Sequence, residues 1–294
     1  MFKTSPFVSE KVWGYERWII STHEAGQSTV LEGDDRFVGK TLPLAVGTDY
    51  PLLVKIIQAD DTLSVQVHPD DDYAGRVENT SGKSECWYVL GAAPDAKLVC
   101  GVNGNYSREE LAEAVKSGKI EDCLRYVPVE KGDFVFIPEG TVHAICGGVR
   151  LLEVQEPSDI TYRLYDWGRP REVHVEKALD VLKCNAPDVV KHFDDVFGCD
   201  YFTLEKGSAI GSVEITSDVG FMACTSSVGG KKPETPATKS GWVSLFILEG
   251  AGTVTSSDCS SLSVKAEDTI MFRTDEQLLL TPVPGKRIKY MKIM

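Results

Sequence analysis

The chain has 294 residues, 42% of them hydrophobic and 26% charged, which excludes disordered, collagen-like and fibrous readings and is enough for two domains or one large β domain. Thirty-one Lys and Arg against 44 Asp and Glu leave a net charge of −13, which repels polyanions and argues against nucleic acid as a partner. No stretch approaches the ~18 apolar residues of a membrane span, and the start, MFKTSPFVSEKVWGYERW, has no apolar signal core, so a cytoplasmic protein with no membrane partner is expected.

Short runs rich in Val, Ile, Leu and Phe recur about every ten residues: LLVKIIQ, LSVQVH, CWYVL, KLVCGV, DFVFIP, VRLLEVQ and TYRLYDW. That spacing, with Gly, Pro and Asp between the runs, predicts antiparallel barrel or sandwich strands. Three helical insertions interrupt them. One follows His68 at PDDDYAGRVEN, with carboxylates in its first turn. A second lies at YSREELAEAVKSG, where Ser107 and Glu110 form a capping box and Gly118 a stop. The third covers roughly 174–183, with Val175, Ala178, Leu179 and Leu182 at helical spacing.

From about residue 196 only strand-like runs remain: YFTLEKGSAI, GSVEITS, FMACTSS, WVSLFILEGAGTVTS, SLSVKAEDTIMF and KRIKYMKIM. The expected fold is mainly β, with two cupin-like antiparallel barrel or jelly-roll units and small helical insertions in and after the first. The expected boundary puts a metal-binding domain at 1–195 and a degenerate β domain without metal ligands at 196–294. The loop GGKKPETPATKSG reads as exposed, and its Lys231 and Lys232 are candidates for the rim of a pocket.

Eight cysteines stand singly at 86, 100, 123, 146, 184, 199, 224 and 259. Without CxxC spacing they read as reduced, buried thiols, so a metal would be held by nitrogen and oxygen. Of the five histidines, His23, His174 and His192 read as ordinary structural residues. His68 and His143 do not, because of their strand neighbours. Alternation in LSVQVHP sends Ser64, Gln66 and His68 to one face. In GKSECWYVL it aligns Lys83, Glu85 and Trp87. In GTVHAI, after the Pro138–Gly140 turn, it presents Thr141, His143 and Ile145. An amide oxygen, two imidazoles and a carboxylate suit Zn²⁺ and also accept Fe²⁺, Mn²⁺ or Co²⁺.

The run from Gly132 to Gly147, with Pro138, Gly140 and His143, resembles the second motif of the cupin barrels, with Gly147 where that motif ends in Asn. The first motif is altered: Gln66 stands in for its first histidine. Together with LLVKIIQADDTLSVQVHPDD, GKSECWYVL and SDITYRLYDWGR, this pattern resembles the type I mannose-6-phosphate isomerases of the short bacterial form, tightly over roughly 10–170. The resemblance implies a zinc enzyme, with one ion per chain, that interconverts mannose 6-phosphate and fructose 6-phosphate through an enediol. It places Gln66, His68, Glu85 and His143 on metal-ligand positions and Arg163 on the active-site arginine. Lys55, Ser64, Lys83 and Glu153 match further positions lining the cavity.

Each of these also has a plain structural reading. Arg163 either enters the pocket to meet a phosphate or enediolate, or pairs with Asp159 or Asp166. Lys83 is either an ion-pair partner of Glu85 or a proton carrier, since an ammonium beside a cation gives up its proton more readily. Glu153 and Lys83, with a water at the ion as a third, are the candidate bases. Lys55 and Ser64 are substrate contacts or ordinary barrel residues, and Trp13 and Trp87 stack on the sugar or pack the core. The partner is a small-molecule sugar phosphate, and the oligomeric state stays open. The rival functions are a non-catalytic cupin that binds metal and sugar phosphate, a metal-dependent oxygenase, and a cupin-type phosphoglucose isomerase.

Overall fold

A computed structural model describes residues 1–218 and 240–294. The expected FMACTSS strand and the Lys231 and Lys232 loop lie outside the described residues. The chain divides into two compact units, one of Met1–Phe7, Trp18–Leu52 and Asp194–Met294, the other of Val8–Arg17 and Leu53–Phe193. This differs from the expected 1–195 and 196–294 boundary because the N-terminal strand Phe2–Ser5 pairs with Thr269–Arg273 in antiparallel register. Its exposed-looking sequence carries no signal for so distant a partner; the pairing is decided by backbone groups seeking a ladder.

The mainly β architecture is as expected, built from antiparallel sheets that stay open among the described residues. In the Leu53–Phe193 unit one sheet runs in the order Val189–Val190, Phe134–Ile137, Glu85–Ala92, Val149–Gln155, Leu53–Ala59, Gly14–Ile20 and Phe7–Lys11. The second runs Tyr162–Tyr165, Val65–Val67, His143–Ile145, Lys97–Val102 and Leu124–Pro128. The second sheet is covered on both faces. Val65, Val67, Val99 and Ala144 pack with Leu111, Ala178 and Leu179 of the helices, while Leu98, Cys100 and Ile145 pack with Ile57, Trp87 and Leu151 of the first sheet. Helix cover explains why strands such as KLVCGV are apolar nearly throughout rather than alternating.

All three predicted helices form, at Asp71–Val77, Arg108–Lys116 and Val175–Val181. The Ser107–Glu110 capping box is complete in both directions, a device that contributes about 1 kcal/mol. Asp70 caps the first helix by accepting the Tyr73 N–H at 2.9 Å.

The other unit holds a seven-stranded and a four-stranded antiparallel sheet. Val243, Leu245 and Ile247 alternate along Trp242–Glu249 into a core with Val254, Leu262, Ile270, Phe272, Leu280 and Ile288. The single run WVSLFILEGAGTVTS becomes two strands, Trp242–Glu249 and Ala251–Ser256, broken at Gly250 with φ +89°. Of the described cysteines five are buried and Cys184 and Cys259 are exposed; all are free thiols. No helix among the described residues is long and apolar enough to cross a membrane.

Candidate metal centre

Both sheets of the Leu53–Phe193 unit contribute to one polar cluster. On the second sheet His143 stands directly opposite Gln66, and Gln66 directly opposite Arg163. Directly opposed residues share a face, so these three side chains leave the sheet on the same side. His68 follows the Val65–Val67 strand, and its carbonyl accepts the Gly140 N–H at 2.8 Å. Gly140 has φ +80°, and a Cβ there would lie 2.8 Å from the Val181 carbonyl oxygen. Only glycine lets this turn pass so close while tying the two histidine segments together.

On the first sheet Gln155 stands opposite Glu85, and Glu153 opposite both Trp87 and Lys55. The two sheets meet where the His143 ring packs edge-on against Trp87, with centroids 5.4 Å apart. Glu85 lies between the imidazoles: Oε2 is 3.5 Å from His68 Nε2 and Oε1 is 3.4 Å from His143 Nε2. Two donors on one tetrahedral ion with ~2.1 Å bonds would sit ~3.4 Å apart. The three residues are fully buried.

The tautomers are set from outside the cluster. His68 Nδ1 contacts the Ile160 carbonyl and His143 Nδ1 the Thr141 carbonyl, each at 2.8 Å, so each Nδ1 carries the proton and each Nε2 presents its lone pair. His68 Nε2, His143 Nε2 and both Glu85 oxygens have no hydrogen-bond partner. Burial pushes His68 down to about 3, with Lys83 adding to the effect, and burial also lowers His143. Both rings are therefore neutral, the form that ligates metal. Burial works against ionising Glu85, yet the Lys83 ammonium beside it holds it well below the usual carboxylate range. Lys83 Nζ lies 2.9 Å from Glu85 Oε2 but is not aligned for a hydrogen bond. Four buried lone-pair donors aimed at one another are costly unless something cationic binds them. This donor set fits a divalent ion.

A second charged row lies beside it. Lys55 Nζ donates to Glu153 Oε1 at 2.9 Å and to Gln155 Oε1 at 2.5 Å, and Trp87 Nε1 donates to Glu153 Oε2 at 3.0 Å. Burial would lower Lys55, but Glu153 and Glu16 outweigh it and raise its pKa. Burial and the nearby Glu85 raise Glu153.

Similarity to known proteins accords with this geometry. A family model described as phosphomannose isomerase type I, catalytic domain, matches residues 1–86. Mannose-6-phosphate isomerase ManA of Bacillus subtilis is 35% identical over 261 residues, covering 74% of this chain and 82% of that protein. This chain belongs to the type I mannose-6-phosphate isomerase family. Within that family a mannose-6-phosphate isomerase of Streptococcus mutans is 41% identical over 191 residues, 58% of this chain and 59% of its own length. A crystal structure of the mannose 6-phosphate isomerase from Bacillus subtilis superposes with a TM-score of 0.82 at 27% identity, over 100% of this chain and 99% of that one.

The remaining expected positions of this isomerase-family chain divide by their surroundings. Arg163 does not pair with Asp166, whose carboxylate is taken by Arg169 and Arg171. Instead it donates from Nη1 to the Glu172 carbonyl at 2.6 Å and keeps a buried Nε with no partner. Gln66 is half-buried and Ser64 buried just before the same strand. Trp13 packs in an apolar cluster with Ile57, Leu63 and Trp87, the environment of a core residue. His23 meets the Trp18 ring edge-on, and the His174 N–H donates to the Arg163 carbonyl. Two nearby carboxylates, Glu139 and Glu156, did not stand out in the sequence, because a lone Glu at a strand end or turn carries no periodic signal.

Proposed function

We propose that the chain interconverts mannose 6-phosphate and fructose 6-phosphate, with Gln66, His68, Glu85 and His143 holding one Zn²⁺. The observation that carries this reading is the convergence of two Nε2 lone pairs and a carboxylate, all buried and without hydrogen-bond partners, with Lys83 as an ion pair on one carboxylate oxygen. A divalent ion held by these residues would supply Lewis acidity toward the open-chain sugar.

The chain's own residues then move and balance charge. Lys83 is the favoured proton carrier between C1 and C2, because Glu153 has both oxygens engaged by Lys55 and Trp87. Glu153 instead orients Lys55, which with Ser64 contacts the substrate. Arg163, with an unpartnered Nε and no carboxylate on its guanidinium, meets the negative charge of the phosphate or enediolate. Proton-carrying and anion-stabilising groups beside the donors favour an enzyme over a mere binder of sugar phosphate.

The test is a coupled fructose 6-phosphate assay on chelator-stripped and zinc-restored protein. Turnover that vanishes on stripping and returns with about one equivalent of zinc supports the reading. Turnover that persists in metal-free protein rejects the metal role, and faster turnover of glucose 6-phosphate than of mannose 6-phosphate replaces the substrate.

A further inference from the structure

The first-sheet ladder ends at the pair Gln155–Glu85, so regular strand pairing does not fix the residues just before Glu85. Their amides are held in another way. Gly82 donates to the Asp71 carboxylate at 2.8 Å, Lys83 to the Pro69 carbonyl at 3.1 Å, and Ser84 to Glu156 Oε1 at 2.6 Å. The Glu156 N–H returns a bond to the Ser84 carbonyl at 3.2 Å. On its other side the Ser84 hydroxyl donates to Glu139 Oε2 at 2.9 Å, and Glu139 is braced by Lys183 at 3.2 Å. Ser84 is 1% and Glu156 4% exposed. A carboxylate side chain thus occupies the place of the next ladder rung, and the residue it grips stands between the two charged groups that alternation turns into the metal cluster.

We infer that Glu156 is a positioning residue: by accepting the Ser84 N–H, with Glu139 holding the Ser84 hydroxyl, it fixes the backbone from which Lys83 and Glu85 project. The inference deepens the proposed function and rests on Glu85 being a metal ligand. Burial, and the neighbouring Asp71 and Glu139, push Glu156 up to about 7, a cost consistent with a local job for the group. An acceptor at the right reach is what the geometry requires; a full negative charge is not.

Three substitutions separate reach, charge and fold. Glu156→Gln keeps the reach and an acceptor oxygen, Glu156→Asp keeps the charge but withdraws it by one methylene, and Glu156→Met keeps the volume without an acceptor. The readouts are zinc affinity by chelator competition, the visible spectrum of the Co²⁺-loaded protein, and hydrogen exchange at the Ser84 amide. The Gln variant is expected within threefold of wild type in all three. The Asp variant, and the Met variant where it folds, lose roughly 10- to 100-fold in metal affinity, as when the outer partners of metal ligands are removed, with an altered Co²⁺ spectrum and an unprotected Ser84 amide. Asp binding zinc within twofold of wild type, or Gln failing as badly as Asp, overturns the inference. Wild-type protein that takes up neither metal removes the metal reading and this inference together, whereas metal-binding wild type with unaffected variants removes only the inference.

Discussion

Each of the two units buries charge, but they treat it differently. In the Asp194–Met294 unit, buried Lys3 reaches the Ser263 carbonyl and Glu32 at 2.6 Å each and Asp268 at 3.2 Å. Buried Lys292 reaches Glu205 at 2.8 Å and the carbonyls of Thr216 and Asp218. Among the described residues, that unit's only unpartnered buried side-chain polar atoms are the hydroxyls of Thr4, Thr203 and Thr269. The Leu53–Phe193 unit leaves two imidazole nitrogens, both oxygens of a carboxylate, a guanidinium Nε and the Asn185 amide oxygen without hydrogen-bond partners. A similar β scaffold can therefore satisfy its buried charges internally. Orphaned donors in one unit mark a ligand site, since a buried unsatisfied polar group costs about 1–3 kcal/mol and more when charged.

The largest expected effect tests that contrast directly. His143→Ala should abolish stoichiometric metal binding and lower isomerase turnover by at least roughly a thousandfold, the several kcal/mol a Lewis acid contributes; full metal content by atomic absorption would break the comparison. Lys83→Met should keep its metal and lose roughly 10²- to 10⁴-fold in kcat, the range for a general acid or base. Glu153→Gln should lose less. If neither variant falls more than about tenfold, neither group carries the proton.

A satisfied lysine should behave in the opposite way. Lys292→Met removes the cation from three acceptors, so it should destabilise by about 1–3 kcal/mol in denaturant melts while kcat of the zinc-loaded enzyme stays within twofold. Loss of activity without loss of stability would contradict it.

The last effect is on pH dependence. Glu156 is raised to about 7 from an ordinary value of 4.5, so between those values the folded state binds more protons than the unfolded. Its contribution to stability is present below about pH 4.5 and lost as pH rises through about 7. The Glu156→Gln difference curve should then show the variant gaining on wild type as pH rises from 4.5 to 7. Parallel curves, measured by urea melts, would remove the shift.

Much of the candidate site was legible in the sequence because strand alternation is a local property. Gln66 with His68, and Lys83 with Glu85, fall on common faces from a period of two alone, and the Ser107 capping box announces its helix within four residues. The first 52 residues were far less legible. The strands Phe2–Ser5, Gly14–Ile20 and Thr29–Gly33 include short, mixed-polarity runs whose partners lie far away in the chain. Glu156 and Glu139 were silent for the same reason: nothing near them in sequence says that Ser84 lies within reach.

The sequence by itself determined the donor types, their faces, the helix caps and the kinship with type I isomerases, since each depends on residue chemistry and on spacings of a few residues. Only the tertiary structure decided that the His68 and His143 lone pairs meet at Glu85, that the Ile160 carbonyl sets the His68 tautomer, and that Glu153 is occupied by Lys55 and Trp87. These are distances between segments that are not neighbours in the chain. They are set by how two sheets pack, and local spacing carries no information about that.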